Sequence, residues 1–220
     1  MKILPDWANE VIASYESGAS DCFLLHGNVA DNMLIKASTG EQKLGSLTDF
    51  VMESLLPRFD VVITYDMGAG LRIERGSKTF NEWPTYAENP VLPHRPLDAA
   101  RSLTHYMLYC RNLKIMGKKA PAVAVVIKQA HLACPAMPNL HNYELSSLAA
   151  LIKGWADDGK LKESKQAVFL ISENLNGVHP LISESPRVSH VEIKLPERDE
   201  IAACLDIIGA KCPIAMKDYI

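Results

Sequence analysis

The sequence is short of several things that would each point to a function class. Positive charge is not in excess: 23 Lys and Arg stand against 26 Asp and Glu, a formal net charge of −3. A grip on nucleic acid is built from concentrated Lys and Arg that neutralise phosphates, so nucleic acid is not an expected partner. The local basic groups, Arg111, Lys114, Lys118 and Lys119 and then Lys153, Lys160, Lys162 and Lys165, read as solvated surface. Paired cysteines are missing too. Cys22, Cys110, Cys134, Cys204 and Cys212 are odd in number, scattered and never spaced Cys-x-x-Cys, which favours a reducing compartment. No apolar stretch reaches the length of a membrane span, and the opening MKILPDWANE has no signal-peptide core. A cytoplasmic location with no membrane partner is expected. Internal repeats and low-complexity tracts are also missing.

What the 220 residues do contain is an alternation of short apolar runs and amphipathic segments, enough for one large domain or one domain with the beginning of a second. A first helix is expected from Pro5 to about Glu16, where Trp7, Val11, Ile12 and Tyr15 recur near helical spacing and Gly18 stops it. Residues 22–26 read as a strand closed by Gly27. Asn28 to Gly45 reads as polar and irregular, and Ser46 as the N-cap of a helix to Leu56. Residues 60–65 form a second strand, with residues 71–74 extended after a turn through Asp66. Gly76 to Pro96 reads as a long surface insertion. A helix from Leu97 to about Met116 carries the stripe Ala100, Leu103, Met107, Cys110 and Leu113. The run 122–127 is short and β-branched, and so fits a central strand buried on both faces. A helix from Glu144 to Ala156, a strand over 167–171, an alternating edge strand over 188–195 and a helix opening at Pro196 complete the series. The fold class this implies is α/β, three-layer αβα, with a five-stranded, mainly parallel sheet. Residues 1–195 form the sheet domain and 196–220 the start of a helical part.

Ligands of such sheets sit beyond the carboxyl ends of the strands. After the first strand a phosphate loop needs G-x-x-x-x-G-K-[ST], so that backbone N–H groups wrap the phosphates, Lys neutralises charge and a hydroxyl holds magnesium. Here the loop is Gly27-Asn-Val-Ala-Asp-Asn-Met-Leu34. Gly27 is in place, Asn28 follows it, Asp31 adds a repelling charge, and Asn32 stands where the second glycine belongs. A dinucleotide fingerprint fails as well. After the central strand a hydrolase would carry carboxylates for magnesium and water, whereas this chain has Lys128 and Gln129. His131, Cys134 and His141 imitate zinc ligands without a fourth, and read as a loop. His26 ends a strand, yet spacing ties no carboxylate or nucleophile to it. Catalytic residues and a metal site are therefore not expected.

The order of elements, with PAVAVVIKQAHLA as a Walker-B-like strand, AVFLISENL as a sensor-like strand and SPRVSHVEIKLPERDEIAACL closing the sheet, resembles the large domain of an AAA+ ATPase, a P-loop NTPase fold. More narrowly it resembles the amino-terminal, P-loop-free module of some bacterial two-module AAA-family ATPases. The likeness runs from about Asp21 to Leu205. It implies that Gly27, Asn28, Asp31 and Asn32 occupy a degenerate Walker A position and Lys128 and Gln129 a degenerate Walker B position. It also implies that Asn174 takes the sensor position, with a turn or helix-capping asparagine as the alternative. Arg187 takes the place of an arginine projecting into a neighbour's ATP, with an exposed structural arginine as the alternative. Arg198 reads as a solvated first-turn residue.

Three functions follow as expectations. One is a non-catalytic module that assembles with or regulates an active ATPase, in cis or in trans, within a longer oligomeric protein whose helical lid barely begins before Ile220. No cofactor is expected in this domain, with ATP and magnesium held by the partner module. A second is unconventional nucleotide binding through residues 27–33. The third is a plain protein-interaction domain using the 76–96 insertion.

Overall fold

Five consecutive fully buried residues, Val123–Ile127, leave their strand no solvent face, and a strand buried on both sides needs a parallel sheet with helices over it. A computed structural model, describing residues 4–36, 42–137, 142–158 and 164–211, puts that strand third in a six-stranded sheet. In chain order the strands of this sheet are β1 (Cys22–Gly27), β4 (Val61–Asp66), β5 (Gly70–Arg75), β6 (Val123–Ile127), β7 (Gln166–Ser172) and β8 (Ser189–Ile193). Across the sheet they run β5-β4-β6-β7-β1-β8. All the pairings are parallel except β4 with β5.

The sixth strand is the departure from the expected five. Residues 71–74 read as merely extended, but antiparallel neighbours need only a tight connection. Asp66 supplies it: its Oδ1 accepts from the N–H groups of Gly68 at 2.8 Å and Ala69 at 3.0 Å. The alternating strand β8 lies at the opposite edge, as its pattern predicts.

Helix α1 (Asp6–Glu16) packs against β8. One continuous apolar cluster joins alternate strand residues such as Ile63, Val125 and Leu170 to the long helices α5 (Pro96–Ile115) and α7 (Tyr143–Asp157). Leu103 and Met107 face it from α5, and Leu148 and Ile152 from α7. Trp155 Nε1 donates to Thr104 Oγ1 at 2.8 Å, so the indole joins the two helices without leaving its polar atom unmet.

The 76–96 segment is not a loose surface insertion. It forms two short helices, α3 (Ser77–Asn81) and α4 (Pro84–Glu88). Phe80 and Trp83 are buried in the main cluster, their ring centroids 4.6 Å and 5.3 Å from that of Tyr106 on α5. Helices of five residues make less than two turns and leave no readable stripe. Aromatic anchoring holds the segment.

The described chain divides into two compact units, Met1–Val29 with Arg58–Ile193, and Ala30–Pro57 with Lys194–Ile220. The first carries the sheet. The second holds the hairpin β2 (Met33–Lys36) and β3 (Gln42–Gly45), helix α2 (Leu47–Phe50), a π-helical turn Val51–Leu55, and a helix from Arg198 to Lys211 that packs on the hairpin. The region expected to be irregular thus contains antiparallel strands, each too short at four residues to announce a period. Ser46 does cap its helix: Ser46 Oγ accepts from Asp49 N, and Ser46 N donates to Asp49 Oδ2 at 3.0 Å.

Phe80→Ala is expected to destabilise the protein by about 3–5 kcal/mol, as truncation of a buried aromatic does. Chemical denaturation checks this, and a loss below about 1 kcal/mol would return the segment to the surface.

Candidate functional site

The carboxyl edge of the sheet gathers Gly27 at the end of β1 with Asn28 after it, Lys128 and Gln129 after β6, and Ser172 at the end of β7 with Glu173 and Asn174 after it. The first of these positions is decided by backbone hydrogen bonds. Gly27 is the last β1 residue in register with β8, opposite Ile193. Its φ is +97°, and a Cβ there would meet Ile193 O at 2.8 Å. Asn28 N then donates to the same Ile193 carbonyl at 2.8 Å, and Val29 N to Gly27 O at 2.8 Å. The second bond closes a three-residue γ-turn. Both N–H groups face chain, whereas a phosphate loop turns them outward. Asp31 and Asn32 follow in the second unit, ahead of β2.

After β6, Lys128 N extends the ladder by donating to Tyr65 O at 2.9 Å. Gln129 is exposed and left-handed, with φ 52° and ψ 52°. It precedes the one-turn helix α6 (Ala130–Ala133), and its carbonyl accepts from Leu132 N at 2.8 Å. Left-handed backbone costs a non-glycine residue about 1–2 kcal/mol, and here it lets the chain turn at once from strand into helix.

After β7, Ser172 is fully buried. Its hydroxyl donates to Asn174 O at 2.7 Å and lies 3.3 Å from His131 Nδ1. His26 sits opposite Ser172 on one side and Glu192 on the other, so the three share a face of the sheet. The Ser172–His131 contact has no signal in the sequence, because the partners are 41 positions apart. A buried hydroxyl already committed to a carbonyl is a poor nucleophile. The pair acts as a tie between α6 and β7. Asn174 Oδ1 accepts from Asn176 N at 2.9 Å, capping a 3-10 turn Leu175–Gly177. In this geometry the asparagine is a cap.

Burial pushes the Cys134 thiol up to about 12, keeping it protonated and a poor metal ligand at neutral pH. His141 lies outside the described residues, and among the described residues no group of three His, Cys, Asp or Glu is placed to hold a metal. No described helix is long and apolar enough to cross a membrane.

Arg187 lies at the other edge. It is exposed in the turn before β8. Its N–H donates to Ser185 Oγ at 3.4 Å, and its carbonyl accepts from Ser20 Oγ at 3.5 Å. The length of β8, at about 3.3 Å per residue, separates it from the Gly27 edge by roughly 15 Å. One copy of the chain does not bring Arg187 and the Gly27 loop together. Arg198 is exposed at the start of its helix.

Sheet order and edge geometry define a Rossmann-like α/β domain in which the turn leaving β1 is tied into the sheet. The family model for the AAA+ chaperone N-terminal Rossmann-like domain matches residues 1–194, and the chain belongs to that family. No curated protein matches. Among solved structures, a chain of the E. coli MS115-1 HORMA:CdnC:Trip13 complex is similar, with a TM-score of 0.52 and 12% identity over 94% of this chain. At that identity the likeness concerns the fold. The present chain spans 60% of that chain's length.

Gly27→Ala is expected to cost about 1–3 kcal/mol, from left-handed strain and the approach to Ile193 O. Thermal or denaturant unfolding reads it; a neutral result would mean that the β1–β8 pairing releases easily at this end.

Proposed function

We propose that this chain is a non-catalytic AAA+-like module that assembles with, or regulates, an active ATPase module, as part of a longer AAA-family ATPase. The observation that carries the reading is the engagement of the Asn28 and Val29 N–H groups by Ile193 O and Gly27 O. A loop so tied offers neither donor to a phosphate. The residue choices agree: no lysine or hydroxyl follows in the loop, and the cation of Lys128 stands where a magnesium ligand is needed. On this reading ATP and magnesium belong to a partner module, in cis or in trans, and the domain's contribution is made through protein contact. Membership of a chaperone amino-terminal domain family supports the association. The similar chain comes from a complex of several proteins, which is in keeping with a protein partner for this one.

Arg187 is the residue by which such a module would act on a neighbour. It is exposed, it projects from the edge opposite its own closed loop, and its backbone is held at both N–H and carbonyl. A cation held on a fixed turn suits the stabilisation of charge on a neighbour's transferring phosphate.

Calorimetry of the isolated chain with ATP, GTP and their diphosphates, with magnesium, is expected to give no heat of binding. Saturable heat would overturn the closed-loop reading and favour the unconventional nucleotide site. In the longer protein, Arg187→Ala is expected to lower turnover at the site it serves by about a thousandfold, the scale of a lost arginine finger. Normal turnover would leave the domain a scaffold.

A further inference from the structure

β8 is the last strand of the sheet, and its outer side has no strand beside it among the described residues. The register with β1 decides what that side presents. Asn28 N donates to Ile193 O, so Ile193 directs its backbone toward β1. A strand residue points its N–H and carbonyl to one side, and the next residue points them to the other. Ser189, Val191 and Ile193 therefore serve β1, while His190 and Glu192 turn their backbone groups outward. Neither makes a backbone hydrogen bond there to any described group, and both residues are exposed. The far side of the sheet is treated differently, since Leu71 N of β5 donates to Pro93 O.

An open strand invites another strand unless proline, lysine or a bulge blocks it. β8, Ser-His-Val-Glu-Ile, has no proline or lysine, and its register with β1 is uninterrupted. It does carry an imidazole and a carboxylate two positions apart, and so on one face. That order is complementary to itself. If a second β8 lies antiparallel with Val191 opposite Val191, His190 of each copy stands opposite Glu192 of the other. The same register makes each such couple a hydrogen-bonded one, because the outward groups belong to these two residues. Centring the pair on Glu192 instead would set carboxylate against carboxylate, which is unfavourable. Partial burial and the nearby His26 hold His190 below its ordinary value; a neutral imidazole still has an N–H to donate to a carboxylate.

We propose that the outer side of β8 is a self-pairing surface, on which a second copy of this chain docks its own β8 antiparallel about a two-fold axis at Val191. His190 and Glu192 of the two copies exchange reciprocal backbone hydrogen bonds, and the imidazole of one meets the carboxylate of the other. The contact is isologous, as a two-fold requires, and it joins two six-stranded sheets side by side. A strand of five residues makes it a weak contact that depends on concentration. It does not rest on the proposed function, since it uses neither Arg187 nor the N–H groups of the Gly27 turn.

Sedimentation and amide hydrogen exchange on the 220-residue chain, from about 10 μM to about 1 mM, test this together. Dimer is expected to grow with concentration, and the His190 and Glu192 amides, open in the single chain, to exchange about tenfold more slowly as it does. A chain that stays monomeric throughout would overturn the proposal, and so would a dimer that leaves these two amides unprotected. Neither measurement needs a variant to fold. Glu192→Lys removes the acceptor and sets an ammonium group against the imidazole, so association should weaken about tenfold; unchanged association would place the contact elsewhere and overturn the proposal. Adding His190→Glu to Glu192→Lys recreates opposite charges in the same register and should restore the dimer. If that doubly substituted chain folds and stays monomeric, the register is wrong and the proposal falls.

Discussion

β1 runs parallel to both of its neighbours, paired with β7 from Cys22 to His26 and with β8 from Phe23 to Gly27, and the bonding to β8 continues one residue beyond it. This constraint organises the rest of the carboxyl edge. Gly27 is needed because a side chain there would meet the Ile193 carbonyl. Asn28 is drawn into the ladder, and Val29 is turned back by a γ-turn. Nothing in this chemistry is exotic: backbone groups seek partners, and a parallel neighbour supplies them when no phosphate competes.

The two edges of the sheet consequently have different characters. At the carboxyl edge, polar side chains serve the chain itself. The Ser172 side chain ties its own loop and that of Asn174 caps a turn, while the Lys128 backbone N–H continues the ladder. At the amino edge Arg187 is exposed on a turn whose backbone is secured. The carboxyl edge thus looks inward and the amino edge outward.

Much of the fold was legible in the sequence, and the reason can be named strand by strand. The run 123–127 is apolar without interruption, which only a doubly covered strand tolerates, and β8 alternates as an edge strand should. The long helices α5 and α7 carry stripes several turns long. What escaped notice was short or aromatic. The four-residue strands of the hairpin and the five-residue helices α3 and α4 fall below the length at which periodicity can be counted, and Phe80 and Trp83 are anchored by ring contacts that no spacing rule encodes. At the carboxyl edge the sequence showed which residues stand there, Gly27, Asn28, Lys128 and Gln129, but not how they are bonded. The Asn28–Ile193 bond joins residues far apart in the chain. No local pattern could have revealed it. The Ser172–His131 tie was hidden for the same reason.

The placement of β1 has a consequence for how the chain acquires its structure. Its partners lie far downstream, Val168 opposite Cys22 on one side and Ser189 opposite Phe23 on the other, the kind of separation that slows folding because a large loop must close before any contact rewards it. On a ribosome, Cys22–Gly27 emerges before its partners in this sheet, β7 and β8. Because β1 lies between β7 and β8, it is the strand that joins β8 to the sheet.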